Sequence, residues 1–86
     1  MDEGSLRFLE EILTGNSPSG FEFAQQNLWL ERTRKFAEKS AKDVHGNAMA
    51  AINPDHPFKV MFAGHMDEIG LMVMNIAADG TLEICY

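Results

Sequence analysis

The 86-residue chain is 45% hydrophobic and 23% charged, ordinary proportions for a globular protein that argue against disorder and limit it to one small domain. Its net charge of -6 and pI of about 4.8, with no basic cluster, make it a poor partner for nucleic acid or an anionic membrane surface. No apolar run reaches the ~18 residues of a membrane span, and the acidic start Met1-Asp2-Glu3-Gly4 is not a signal peptide, so a cytoplasmic protein is expected.

Asp2 is placed to cap a first helix whose stripe is Leu6, Leu9, Ile12 and Leu13, with Gly15 as a left-handed terminator. Ser19 and Glu22 have the spacing of a capping box, which predicts a second helix from about Gly20 to about Glu38. Its expected inner face is Phe21, Ala24, Leu28, Phe36 and Ala37, with Trp29 and Leu30 off the main line. Arg32, Arg34, Lys35 and Lys39 alternate with Glu31 and Glu38 and read as a solvated face. Ser17 and Ser19 read as structural, because no base is placed to activate either.

The pattern then changes. Residues 41–45 and 48–52 form a predicted hairpin around Gly46-Asn47, which would supply the positive backbone angles. Two prolines make 53–57 a loop. Phe58 to Ala63 is almost continuously apolar, the signature of a central strand covered on both faces. Residues 71–77 and 81–86 form a second hairpin around Ala78-Asp79-Gly80. Met61, Met66, Met72 and Met74 are expected to pack in a core, and Cys85, the one cysteine, to be a buried strand thiol. The expectation is an α/β unit, two helices over 1–39 and a strand-rich segment of about five strands over 40–86. Tyr86 falls inside a strand pattern, so the chain reads as the N-terminal part of a larger fold.

The chemistry concentrates after the central apolar run, at His65-Met66-Asp67-Glu68. In extended backbone His65 and Asp67 point to the same side, and Glu68 to the other. Ligands of open α/β sheets bind outside the carboxyl ends of strands, where this pair falls. Imidazole is a good ligand for zinc, cobalt or manganese when an acceptor such as Asp67 orients its other nitrogen. Taken alone, a His-x-Asp pair at a strand end is more often structural, and a metal site needs three or four ligands. His45 and His56, in a turn and a proline loop, complete no such set. There is no Gly-rich phosphate loop, Cys-x-x-Cys, His-Glu-x-x-His or Gly-x-Ser-x-Gly.

The whole string Val60-Met61-Phe62-Ala63-Gly64-His65-Met66-Asp67-Glu68-Ile69-Gly70-Leu71-Met72-Val73 resembles the N-terminal active-site strand of the dinuclear-metal aminopeptidases that form tetrahedral assemblies. These are the glutamyl or deblocking aminopeptidases, also labelled endoglucanase or cellulase M. Ser17-Pro18-Ser19-Gly20-Phe21-Glu22, Asp43-Val44-His45-Gly46-Asn47 and Asn75-Ile76-Ala77-Ala78-Asp79-Gly80-Thr81-Leu82 agree in order and spacing, so the resemblance covers nearly the whole chain. His45 departs from the apolar residue usual before that Gly-Asn.

The resemblance implies a phosphorylase/hydrolase-like α/β domain with two divalent metals, zinc or cobalt, and hydrolysis of N-terminal residues from peptides. It makes His65 a metal ligand and Asp67 the catalytic-site carboxylate that orients it. A homo-oligomer is also implied. The family's remaining ligands and its general base lie beyond the point corresponding to Tyr86, so the chain by itself is expected to be inactive. Two rival readings stand beside it. One is a self-associating or interaction module built on an uncovered sheet. The other is a glycoside hydrolase, disfavoured because Asp67 and Glu68 should face apart rather than flank a sugar.

Overall fold

A computed structural model describes residues 1–86 and contains two helices followed by four short strands. Helix α1 (Glu3–Thr14) begins where the Asp2 carboxylate accepts the Ser5 backbone N–H at 2.7 Å, so the expected cap forms. Of its apolar stripe only Ile12 is half-buried, together with Phe8; Leu6, Leu9 and Leu13 remain exposed.

The end of α1 differs from expectation. Gly15 is extended (φ -75°, ψ 152°), not left-handed. The orphan carbonyls of Glu11 and Ile12 are taken instead by Gln25 Nε2, at 3.1 and 2.6 Å, from the next helix. A Cβ at Gly15 would collide with that side-chain amide. The position requires glycine for close approach, not for its backbone angle.

Helix α2 (Phe23–Thr33) is shorter than expected at both ends. Glu22 turns back to accept the Gly20 N–H at 2.5 Å, and the Ser19 hydroxyl is engaged elsewhere, so no capping box forms. At the far end Phe36 and Ala37 N–H groups close on the Thr33 carbonyl at 3.1 and 2.8 Å. Glu38 N–H already bonds Ala51 at 3.0 Å. A backbone donor used in a strand ladder cannot also extend a helix, and the hairpin wins. The buried face follows Gln25, Leu30 and Thr33, with Trp29 half-buried, while Phe21, Ala24 and Phe36 are exposed. Leu30, predicted off the main line, is the one apolar side chain that is buried, at 3% exposure. The Arg32 guanidinium lies 5.3 Å from the Phe8 ring centroid and helps join the two helices.

Strands β1 (Lys39–Lys42) and β2 (Ala48–Ala51) pair antiparallel, Lys39 opposite Ala51 and Lys42 opposite Ala48, and rest against α2. Their connection is a five-residue loop rather than a two-residue turn. Gly46 has φ +89°, but Asn47 does not share the positive angle. The Asp43 carboxylate ties the loop by accepting from the His45 and Asn47 backbones, both at 2.9 Å, and from Asn47 Nδ2 at 2.8 Å.

Strands β3 (Met72–Ile76) and β4 (Leu82–Cys85) form the second hairpin, with an irregularity between Val73 and Asn75 and Gly80 at φ +88°. It is a separate two-stranded sheet that touches no other element.

The central strand expected at Phe58–Ala63 does not form; no partner pairs with it. Phe58, Val60 and Met61 are exposed and Phe62 is 96% exposed. An apolar run reports a tendency to be covered, but a strand exists only where a second backbone accepts its ladder. For the same reason Met61, Met72 and Met74 are exposed rather than core residues, and the Cys85 thiol is exposed rather than buried. The radius of gyration is 17.1 Å, against about 12 Å for a compact chain of this length. The surface of 7331 Å² likewise exceeds the roughly 5,100 Å² of a compact monomer of this mass. The α/β class holds, in an open arrangement of two small sheets.

Candidate functional site

One short junction connects the helical half to the β3–β4 arm. The Ser17 carbonyl accepts the Glu68 N–H at 2.8 Å, and Glu68 Oε1 accepts the Ser17 N–H at 3.2 Å. Pro18 thereby faces Glu68 in a parallel bridge. Gly70 lies against Pro18 so closely that a Cβ there would stand 2.7 Å from the proline Cβ. Ser17 is buried in the junction. The bridge brings residue 67 beside residue 19, although 48 positions separate them in the chain.

At that point three side chains form a line. Ser19 Oγ donates to Asp67 Oδ2 at 2.5 Å, and Asp67 Oδ1 stands 3.0 Å from His65 Nδ1, which also lies 3.0 Å from the Asp67 carbonyl. The Ser19 hydroxyl foremost, and the His65 ring second, hold the Asp67 carboxyl below the usual carboxylate range. An ionised carboxylate only accepts, and so does a carbonyl. The proton between them and His65 must therefore sit on Nδ1. This leaves Nε2 as the lone-pair nitrogen of the neutral ring, on a side chain that is 85% exposed. A carboxylate on one imidazole nitrogen fixes the tautomer and raises the ligand strength of the other.

The expected pairing of His65 with Asp67 is thus present as geometry. Glu68 is engaged with Ser17 rather than with the His65–Asp67 pair, as its sequence position suggests. His45 and His56 are exposed in their own loops, His56 accepting the Phe58 N–H at 3.1 Å. No group of three His, Cys, Asp or Glu side chains converges to hold a metal ion. The donor set fits one coordination position of a divalent metal, not a dinuclear centre.

Ser19 is the site residue that sequence reasoning misplaced. Its spacing to Glu22 satisfies a local capping rule, whereas its actual partner is distant in the chain. The one signal available was that the Ser-Pro-Ser-Gly-Phe-Glu block and the His-Met-Asp-Glu block belong to the same resemblance.

A carboxylate on one imidazole nitrogen is a common way to orient a metal-ligating histidine. Residues 46–85 match the model of the M42 glutamyl aminopeptidase family. The chain is 36% identical over 76 residues to a protein named putative aminopeptidase SgcX from Escherichia coli, covering 86% of this chain and 20% of that one. It is 35% identical over 77 residues to a lysyl aminopeptidase from Pyrococcus furiosus, covering 88% and 22%. The resemblance read from the sequence stands as a similarity: just under half of the chain matches a peptidase family, and both relatives carry aminopeptidase names. The chain spans about a fifth of the length of these curated relatives. The cellulase label appears on neither relative. No solved structure matches significantly.

Proposed function

We propose that this chain supplies one metal ligand, His65, and its orienting carboxylate, Asp67, to a metal-dependent aminopeptidase site of phosphorylase/hydrolase-like architecture. The observation that supports it most is the Asp67 carboxylate on His65 Nδ1, within a segment matching a peptidase family. Divalent metals, zinc or cobalt, when bound would polarise the scissile carbonyl and lower the pKa of a water nucleophile. The chain's own share is narrower. Asp67 keeps the ring in the Nδ1–H tautomer, so Nε2 faces outward as a donor of a lone pair. A peptide substrate, homo-oligomeric assembly and a cytoplasmic setting belong to the same reading; no helix is long and apolar enough to cross a membrane.

With one imidazole and no converging acids, the 86 residues alone are inactive as a peptidase. Aminoacyl-nitroanilide hydrolysis with added zinc or cobalt tests this, and metal-dependent turnover by the isolated chain would overturn it. The peptidase role is tested by grafting these residues onto the matched segment of the Pyrococcus furiosus lysyl aminopeptidase. The chimera should hydrolyse peptides and lose activity on His65→Ala. A folded, metal-loaded chimera without activity sinks the role.

A second reading, self-association, is favoured by a separate observation. Phe58, Val60, Met61 and Phe62 form an exposed apolar run, followed in the chain by a hairpin that packs on no other element. Unpaired strand edges and exposed apolar surface both favour association.

A further inference from the structure

We propose that Ser19 is a positioning residue for the His65 ligand, acting through Asp67; this rests on the metallopeptidase reading of His65 for its purpose but not for its test. The hydroxyl that spacing assigns to a helix cap is spent on Asp67 Oδ2 at 2.5 Å, and α2 starts without any side-chain cap. An uncapped helix start shortly after a serine that has the spacing of a cap calls for a competing use of the hydroxyl. That use is a charge-assisted hydrogen bond, the stronger kind.

The geometry explains why the bond matters for His65. A carboxylate with one oxygen on the ring can rotate about its Cβ–Cγ axis and leave Nδ1 with the Asp67 carbonyl as its one, uncharged acceptor, a weaker hold on the tautomer at a site this exposed. Ser19 holds the second oxygen, Oδ2, and so fixes the plane in which Oδ1 meets Nδ1. Ser19 is itself carried by the junction in which Ser17 and Glu68 exchange two hydrogen bonds and Gly70 abuts Pro18. The loop at 17–20 therefore acts as an external jaw on the His65–Asp67 pair. It also ties the order of the ligand to the docking of the helical half.

The test reads the His65 tautomer directly by long-range ¹⁵N–¹H NMR correlations on the metal-free 86-residue chain. The unsubstituted chain should show Nδ1–H, and Ser19→Ala should shift His65 toward the Nε2–H form. Ser19→Thr, which keeps a hydroxyl, should restore Nδ1–H. Ser17→Ala keeps the backbone bonds of the same loop and should leave the tautomer unchanged. Retention of the Nδ1–H form in Ser19→Ala overturns the proposal, as does an equal loss in Ser17→Ala, which would mean that the loop acts only as a scaffold. Titration with Zn²⁺ alone gives the second readout, with His65 ¹⁵N shifts reporting affinity roughly 10-fold or more weaker in Ser19→Ala. Unchanged Zn²⁺ affinity in Ser19→Ala counts against Ser19. Absence of any Zn²⁺ response at His65 in the unsubstituted chain overturns the metal reading instead, and the tautomer then decides Ser19 separately.

Discussion

Ser17 and Glu68, 51 residues apart, exchange two hydrogen bonds: the Glu68 amide to the Ser17 carbonyl at 2.8 Å, and the Ser17 amide to Glu68 Oε1 at 3.2 Å. Because the β3–β4 arm touches no other element, this exchange carries the connection between the two halves of the chain together with the Ser19–Asp67 bond and the Gly70–Pro18 contact. Glu68→Ala removes one of the two bonds, at a cost of about 1–3 kcal/mol for a bond to a charged acceptor. The expected result is faster exchange of the Ser17 amide, which loses its acceptor, and loss of fixed orientation between α2 and β3 in residual dipolar couplings. An unchanged relative orientation would show that other contacts hold the arm.

Gln25 and Gly15 form a coupled pair at the end of α1. Gln25→Ala frees the Glu11 and Ile12 carbonyls and should destabilise the helical half by about 1–2 kcal/mol. Gly15→Ala should do much the same, because its Cβ displaces the same amide. The double variant should cost little more than either single one, a strong non-additivity readable by urea denaturation followed at Trp29. Additive effects would mean that the two positions act separately.

Acid should open the β1–β2 loop. The Asn47 side-chain amide foremost, then the Asn47 and His45 backbone amides, hold the Asp43 carboxyl below its usual range. A depressed native value means that the stabilisation is complete above the unfolded carboxylate value and is lost as pH falls through the native one. Amide shifts of Asn47 and His45 should therefore change together in an acid transition below about pH 4. Asp43→Asn should remove the transition. Flat shifts through the acid range in the unsubstituted chain refute the account.

At His65 the expected metal binding is weak, since one imidazole is available. His65→Ala should abolish the site-specific Zn²⁺ response, and Asp67→Asn should weaken it roughly 10- to 100-fold, both read by NMR titration. Equal binding after His65→Ala would place any bound metal elsewhere.

The exposed run around Phe62 should drive concentration-dependent association, seen by sedimentation velocity. Val60→Lys and Phe62→Lys together should shift the chain toward monomer and leave the hairpin amide shifts unchanged. Monomeric behaviour of the unsubstituted chain at high concentration would remove the self-association reading.

How much of this was legible beforehand follows the range of each interaction. The Asp2 cap, both hairpins, the two-apart placement of His65 and Asp67 and the peptidase resemblance all depend on residues near one another in sequence, and all were readable there. Gly15, Ser19 and the end of α2 depart from their sequence expectation because each local rule competes with a distant partner: Gln25, Asp67 and Ala51 respectively. The side chains of Phe58–Ala63 favour burial and so predict a strand, yet no backbone in the tertiary structure receives it. Sequence by itself determined that an imidazole and a carboxylate, His65 and Asp67, stand two residues apart. Only the tertiary structure decided that Ser19 grips that acid, because a hydrogen bond across 48 residues has no period or spacing to announce it.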